Sequence, residues 1–129
     1  MINLYINQRK VENITILDMK GRVRIGGNTA ALYKSIRCLI QEGKRLILLN
    51  LAGVTYIDSS GLGELISSQV SVLNKGGEIK LVYLTETLRE LLTMTKLLEV
   101  FDVYESESEA LVSFAGHALK VSEPQLSLV

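Results

Sequence analysis

The sequence predicts an α/β fold built on a mixed, mostly parallel β-sheet with helices packed against it. Short β-rich apolar runs alternate with stretches of helical apolar spacing from residue 45 onward, and glycines stand where those helices should stop. Alternation of strand and helix needs crossover connections, and crossovers impose parallel pairing. At 129 residues the chain fits one domain and can bury roughly two thirds of its unfolded surface.

The elements follow in order. Leu4-Tyr5-Ile6 and the run from Ile14 to Met19 are β-rich and separated by polar residues that include Asn7 and Asn13, so they read as a hairpin. Gly21-Arg22-Val23-Arg24-Ile25-Gly26-Gly27-Asn28 reads as a loop ending on a candidate N-cap, Asn28. The next helix presents Leu32, Ile36, Leu39 and Ile40 on one face, and Gly43 takes the place of a C-terminal glycine. Leu46 to Leu51 is an apolar strand. Leu62, Leu65, Ile66, Gln69, Val70 and Leu73 then recur at helical spacing, which puts Glu64, Ser67, Ser68 and Ser71 mostly off the core face, and Lys75-Gly76-Gly77 ends that helix.

Ile79 to Leu84 is the next strand, and Glu86 to Met94 a helix with Leu88, Leu91 and Leu92 inward. Phe101 to Tyr104 is a short last strand, after which Ser106-Glu107-Ser108-Glu109 fits a capping box before Ala110, Leu111 and Phe114. The domain is expected to occupy residues 1–115. Residues 116–129, with the only histidine, His117, and the only proline, Pro124, read as a C-terminal tail that is either disordered or folded back through Leu119 and Val121.

The polar stretch Tyr56-Ile57-Asp58-Ser59-Ser60-Gly61-Leu62-Gly63 falls between the apolar strand and the long amphipathic helix. Asp58, Ser59 or Ser60 can cap the first amides of that helix. Two hydroxyls and two glycines keep the corner bare, and a bare helix N-terminus with a presented serine suits a phosphate, because backbone amides and the helix dipole both favour negative charge there.

Asp-Ser-Ser-Gly-Leu-Gly after a hydrophobic strand, followed by a helix and a Gly-Gly turn, resembles the STAS domain family over about residues 1 to 115. The resemblance implies a single STAS-like domain and, for a stand-alone protein, an anti-sigma factor antagonist. In that reading Ser59 is the residue phosphorylated by the partner, with Ser60 the alternative. Tyr56, Asp58, Ser59, Ser60, Gly61, Leu62 and Arg24 would form the partner-binding surface. The implied partners are an anti-sigma factor serine kinase and a phosphoprotein phosphatase, and a homodimer is a further option. Antagonists of the family usually carry Gly-Glu-Leu-Asp beside the serine; here the segment is Gly21-Arg22-Val23-Arg24, with basic residues at both acidic positions. Arg24 could therefore form charge-assisted bonds with a phosphate on Ser59.

Composition narrows the remaining classes. No apolar run approaches the roughly 18 residues of a membrane span, and the start lacks a basic n-region, so a soluble, cytoplasmic protein is expected. The single cysteine, Cys38, makes neither an internal disulfide nor a cysteine metal cluster, and reads as a small apolar residue on a helix. Net charge is zero but uneven: residues 1–45 carry nine Lys/Arg against three Asp/Glu, which marks either a polar partner surface or a solvated face. Without a basic pI or a reader motif, no direct nucleic-acid contact is expected.

Neither serine sits in a Gly-x-Ser-x-Gly frame, and no His/Cys/carboxylate set has ligand spacing, so the expectation is a non-enzyme with no metal and no cofactor. Two other classes stay open. One is a docking subunit of a larger lipid-transport or stress-signalling assembly; the other is a nucleotide-binding domain using the glycine loop at 21–28.

Overall fold

The computed structural model describes residues 4–23 and 31–114. The expectations for Asn28, Arg24, His117 and the tail at 116–129 lie outside the described residues. The chain opens with an antiparallel hairpin of β1 (Leu4–Val11) and β2 (Ile14–Val23), turning between Val11 and Ile14. Helix α1 (Ala31–Gln41) leads to β3 (Leu46–Ile57), helix α2 (Ser59–Asn74), β4 (Glu78–Val82), helix α3 (Glu86–Met94) and β5 (Asp102–Tyr104). A last helix, α4, occupies described residues 107–114. The sheet order is β1-β2-β3-β4-β5, with every pairing after the first hairpin parallel.

Period-2 alternation sorts the strand residues onto two faces. Leu17, Met19, Ile47, Leu49, Ile79 and Leu81 pack beneath α1, α2 and α3, against side chains such as Ile36, Leu65 and Leu92. Ile14, Ile16, Leu46, Leu48 and Val82 face the other way and are covered by Ala110 and Phe114 of α4. Burying each large apolar side chain contributes roughly 1.5–3 kcal/mol. β3 is apolar on both faces from Leu46 to Leu49 because helices cover both. Ser106 Oγ accepts from Glu109 N at 3.2 Å, as the capping box anticipates.

The structure corrects three expectations. Gly21, Arg22 and Val23 belong to β2 rather than to a loop, because β3 offers Val54, Tyr56 and Ile57 as pairing partners. The glycine loop considered for nucleotides thus loses its first residues to the sheet. α2 is also turned relative to its apolar spacing: Ser68 and Val72 are buried, while Val70 and Leu73 are half-exposed, at 48% and 54%. Finally, the fourth strand ends at Val82, since Tyr83 takes a left-handed φ of 60°.

The turn of α2 has a local cause. Asp58 N donates to Val23 O at 3.1 Å, bringing the end of β2 against the first helical turn. A Cβ at position 61 would lie 2.3 Å from that same oxygen and 2.7 Å from Ile57 Cγ1, so only glycine permits the approach. Position 63 is the opposite case, with open space where a Cβ would go.

Away from this contact, a polar cluster ties the hairpin to α4. Arg9 on β1 forms a bidentate pair with Asp18 on β2 and donates from Nη2 to Glu107 Oε1 at 2.8 Å, while Asn50 Nδ2 donates to Asp18 Oδ1 at 2.8 Å. The bond from Arg9, aided by that from Asn50, holds the Asp18 carboxyl below its usual range, against the opposing effect of burial.

Two stability predictions follow from these contacts. Gly61→Ala should lower the urea midpoint, because overpacking of about 1–3 kcal/mol exceeds the roughly 1 kcal/mol that alanine gains over glycine in a helix. Gly63→Ala should raise it by up to that roughly 1 kcal/mol; equal midpoints for the two variants would contradict the packing argument. Asp18 is depressed in the folded state, so its stabilisation is complete above the ordinary carboxylate value of about 3.9 and is lost as pH falls through the folded value. Below about pH 4 the wild type should lose stability more steeply than Asp18→Asn, as read from midpoints across a pH series.

Candidate functional site

β3 outruns its neighbour. β4 pairs only with Leu46 to Asn50, whereas pairing with β2 continues to Ile57. Beyond Asn50 the two strands form an arm, with register shifts near Lys20 and Arg22, and α2 starts from its tip. A one-residue junction, Asp58, joins strand to helix: it is extended, at φ −105° and ψ −174°, and Ser59 is already helical.

Of the three candidate caps, Asp58 fills the position. Its Oδ1 accepts from Gly61 N at 2.9 Å and its carbonyl accepts from Leu62 N at 2.9 Å. Ser59 is thereby released from capping and stands exposed as the first residue of α2, with Ser60 half-buried behind it. Tyr56, 44% exposed, carries the Arg22 guanidinium over its ring at 5.7 Å. That contact places a positive charge on the residue facing Tyr56 in the pairing register.

Tyr56 and Ser59 are exposed, and Asp58 and Ser60 half-buried, where β3 gives way to α2, and exposed Gly63 extends the bare corner along the helix. Gly61 and Leu62 do not belong to it: both are buried, Gly61 against Val23 and Leu62 in the main core. Their motif positions serve packing. Arg24 lies outside the described residues, so Arg22 is the described basic residue of that segment.

Glu64 joins the corner from an unexpected direction. Its Oε1 accepts from Tyr33 N at 3.1 Å, so α2 supplies a carboxylate to the first turn of α1, which has no acidic residue of its own there. Oε2 is buried without a hydrogen-bond partner among the described residues. Desolvation pushes the Glu64 carboxyl up, the Tyr33 and Leu32 amides pull it down, and the negative charge of Asp58 pushes it up further. Helical spacing put Glu64 off the core face; the absence of an acid in the first turn of α1 is compatible with its contact but names no partner.

The arrangement presents an exposed hydroxyl at a capped helix N-terminus, three residues after the half-exposed Tyr56 that pairs with Arg22. It can accept a phosphoryl group, and it offers a flat contact surface whose charge such a group would change.

Comparison with known proteins agrees with this fold. A model of the STAS domain matches residues 5–110. The anti-sigma F factor antagonist of Paenibacillus polymyxa is 32% identical over 110 residues, covering 85% of this chain and 94% of that one. The anti-sigma-B factor antagonist of Bacillus subtilis (strain 168) is 28% identical over 102 residues, or 79% and 92% of the two chains. Among solved structures, an anti-sigma factor antagonist from Mycobacterium paratuberculosis matches with TM-score 0.73 at 19% identity, covering 86% of this chain and 93% of that one. The unphosphorylated form of the anti-sigma factor antagonist SpoIIAA matches at 0.71 and 18% identity, covering 87% and 97%. At these identities the structures establish the shared fold, and with the family match spanning most of the sequence, the chain belongs to the STAS domain family.

Proposed function

We propose that the protein is an anti-sigma factor antagonist whose docking surface is the α2 corner and whose switch is phosphorylation of Ser59. The observation that carries this reading is the division of labour at the helix start: Asp58 takes the cap, leaving the Ser59 hydroxyl exposed. The relatives named as anti-sigma factor antagonists, at 28–32% identity over most of their lengths, support it.

Unphosphorylated protein docks the Tyr56, Ser59 and Gly63 surface on an anti-sigma factor and so frees a sigma factor. The partner is a serine kinase; its phosphoryl transfer places roughly −1.5 to −2 charges on Ser59 at pH 7. The fold tolerates that charge, since a helix N-terminus gains about 0.3–1 kcal/mol from an anion. A packed partner does not, because the dianion would have to be desolvated or paired within the interface. Asp58 and Glu64 are the nearby carboxylates; added charge opposes both and pushes the Glu64 carboxyl further in the direction burial already takes it. A phosphatase resets the cycle. The protein contributes a switchable surface and no catalytic group, and it acts in the cytoplasm.

Incubation with its anti-sigma kinase and ATP should add one phosphate, seen by intact mass and mapped to Ser59. Ser59→Ala should take up none yet bind the unmodified partner as tightly as wild type in calorimetry, whereas Ser59→Asp should weaken binding at least about tenfold, equivalent to about 1.4 kcal/mol. Full phosphate uptake by Ser59→Ala would move the site to Ser60.

A further inference from the structure

The far end of α1 and α2 carries a second feature, separate from the Ser59 corner. α2 is 16 residues long, so its ends stand about 24 Å apart. There a cavity of about 430 Å³ opens between the two helices. Its wall carries Arg37, Arg45 and Lys75, with Gln41, Ser71 and Asn74 between them, and no acidic residue lines it. The volume falls within the roughly 300–1,000 Å³ of small-molecule sites.

The three cations differ from the basic residues that are paired with acids. Arg9, Lys80 and Arg89 each have a carboxylate within salt-bridge reach. Arg45 instead donates from Nη1 to the carbonyls of Ile40 and Lys44, at 3.0 and 2.9 Å, which closes the end of α1 and fixes the guanidinium at the cavity wall. Arg37 stacks 5.7 Å from the Tyr33 ring and reaches the Tyr33 hydroxyl at 3.5 Å. Both forks are therefore held by neutral groups, and neither has its charge compensated by an acid among the described residues. Lys75 forms no salt bridge among them either.

Magnitudes decide the sign of the site. The C-termini of α1 and α2 each present about half a negative charge, which disfavours anions, but three full positive charges leave an excess of about two. The uneven charge of the sequence, with its basic excess before residue 46, concentrates Arg37 and Arg45 here. The Ser71 hydroxyl and the Asn74 and Gln41 amides add neutral donors suited to anionic oxygens.

We infer that this cavity binds a small polyanion carrying two or more phosphoryl or carboxylate groups, held by Arg37, Arg45 and Lys75. The site bridges the C-terminal ends of α1 and α2, the same two helices that Glu64 ties together at their other ends. Arg fits either acid group bidentately, whereas Lys acts as a point charge.

The test is isothermal titration of the full chain with tripolyphosphate and, separately, with citrate, at low ionic strength. At least one probe should bind at one site per chain, and the tighter of the two names the acid group. Lys75→Glu and Arg37→Glu, both at exposed positions, should each weaken that binding at least about tenfold with unchanged melting temperature, since each reverses a charge at the anion. Lys96→Glu, an exposed cation away from the cavity, should leave it unchanged. No binding of either probe, or equal binding by wild type and both cavity variants, would overturn the inference. Because Ser59 phosphorylation is read separately by mass, failure here leaves the switch untouched.

Discussion

The close approach of Val23 to the first turn of α2 organises the rest of the molecule. One carbonyl oxygen accepts the Asp58 amide and also occupies the space a side chain at Gly61 would need. The contact closes the tip of the β2–β3 arm, fixes where strand becomes helix, and sets the rotation of α2 about its axis. From that rotation follow the burial of Ser68 and Val72, the exposure of Val70 and Leu73, and the direction in which Glu64 reaches α1. The position of a surface serine therefore depends on a buried glycine two residues beyond it.

Phosphate acceptance needs a hydroxyl that is exposed but precisely placed, and a helix N-terminus alone does not supply that, since a serine there is easily recruited as the cap. Asp58 removes the competition. The acidic cap has an electrostatic consequence too: the corner already holds one carboxylate on the helix dipole, with Glu64 partly desolvated nearby. A second, larger negative charge would change the balance there more than it would on a neutral surface.

The basic residues divide by how they are satisfied. Arg9 is locked into a carboxylate network that joins the hairpin to α4. Lys80, 5% exposed, rests over the rings of Tyr104 and Phe114 while Glu78 and Asp102 approach its ammonium. Both serve the fold. Arg37, Arg45 and Lys75 face a common concavity without such carboxylate pairing, so their charge is directed outward.

By itself the sequence determined what depends on neighbours along the chain. The hairpin, the apolar faces of α1 and α3, the glycine at 43 with φ of 88° and the Ser106 cap all follow from spacing over a few residues. Tertiary structure alone decided what depends on partners distant in sequence. Gly21 to Val23 become strand because β3 is long enough to pair with them; Gly61 is obligatory and Gly63 is not because only one faces Val23. Glu64 turns inward toward α1 for the same reason. Helical periodicity fixes which residues share a face, but that face is wide enough to turn by one position, and a single backbone contact between remote segments selects the angle.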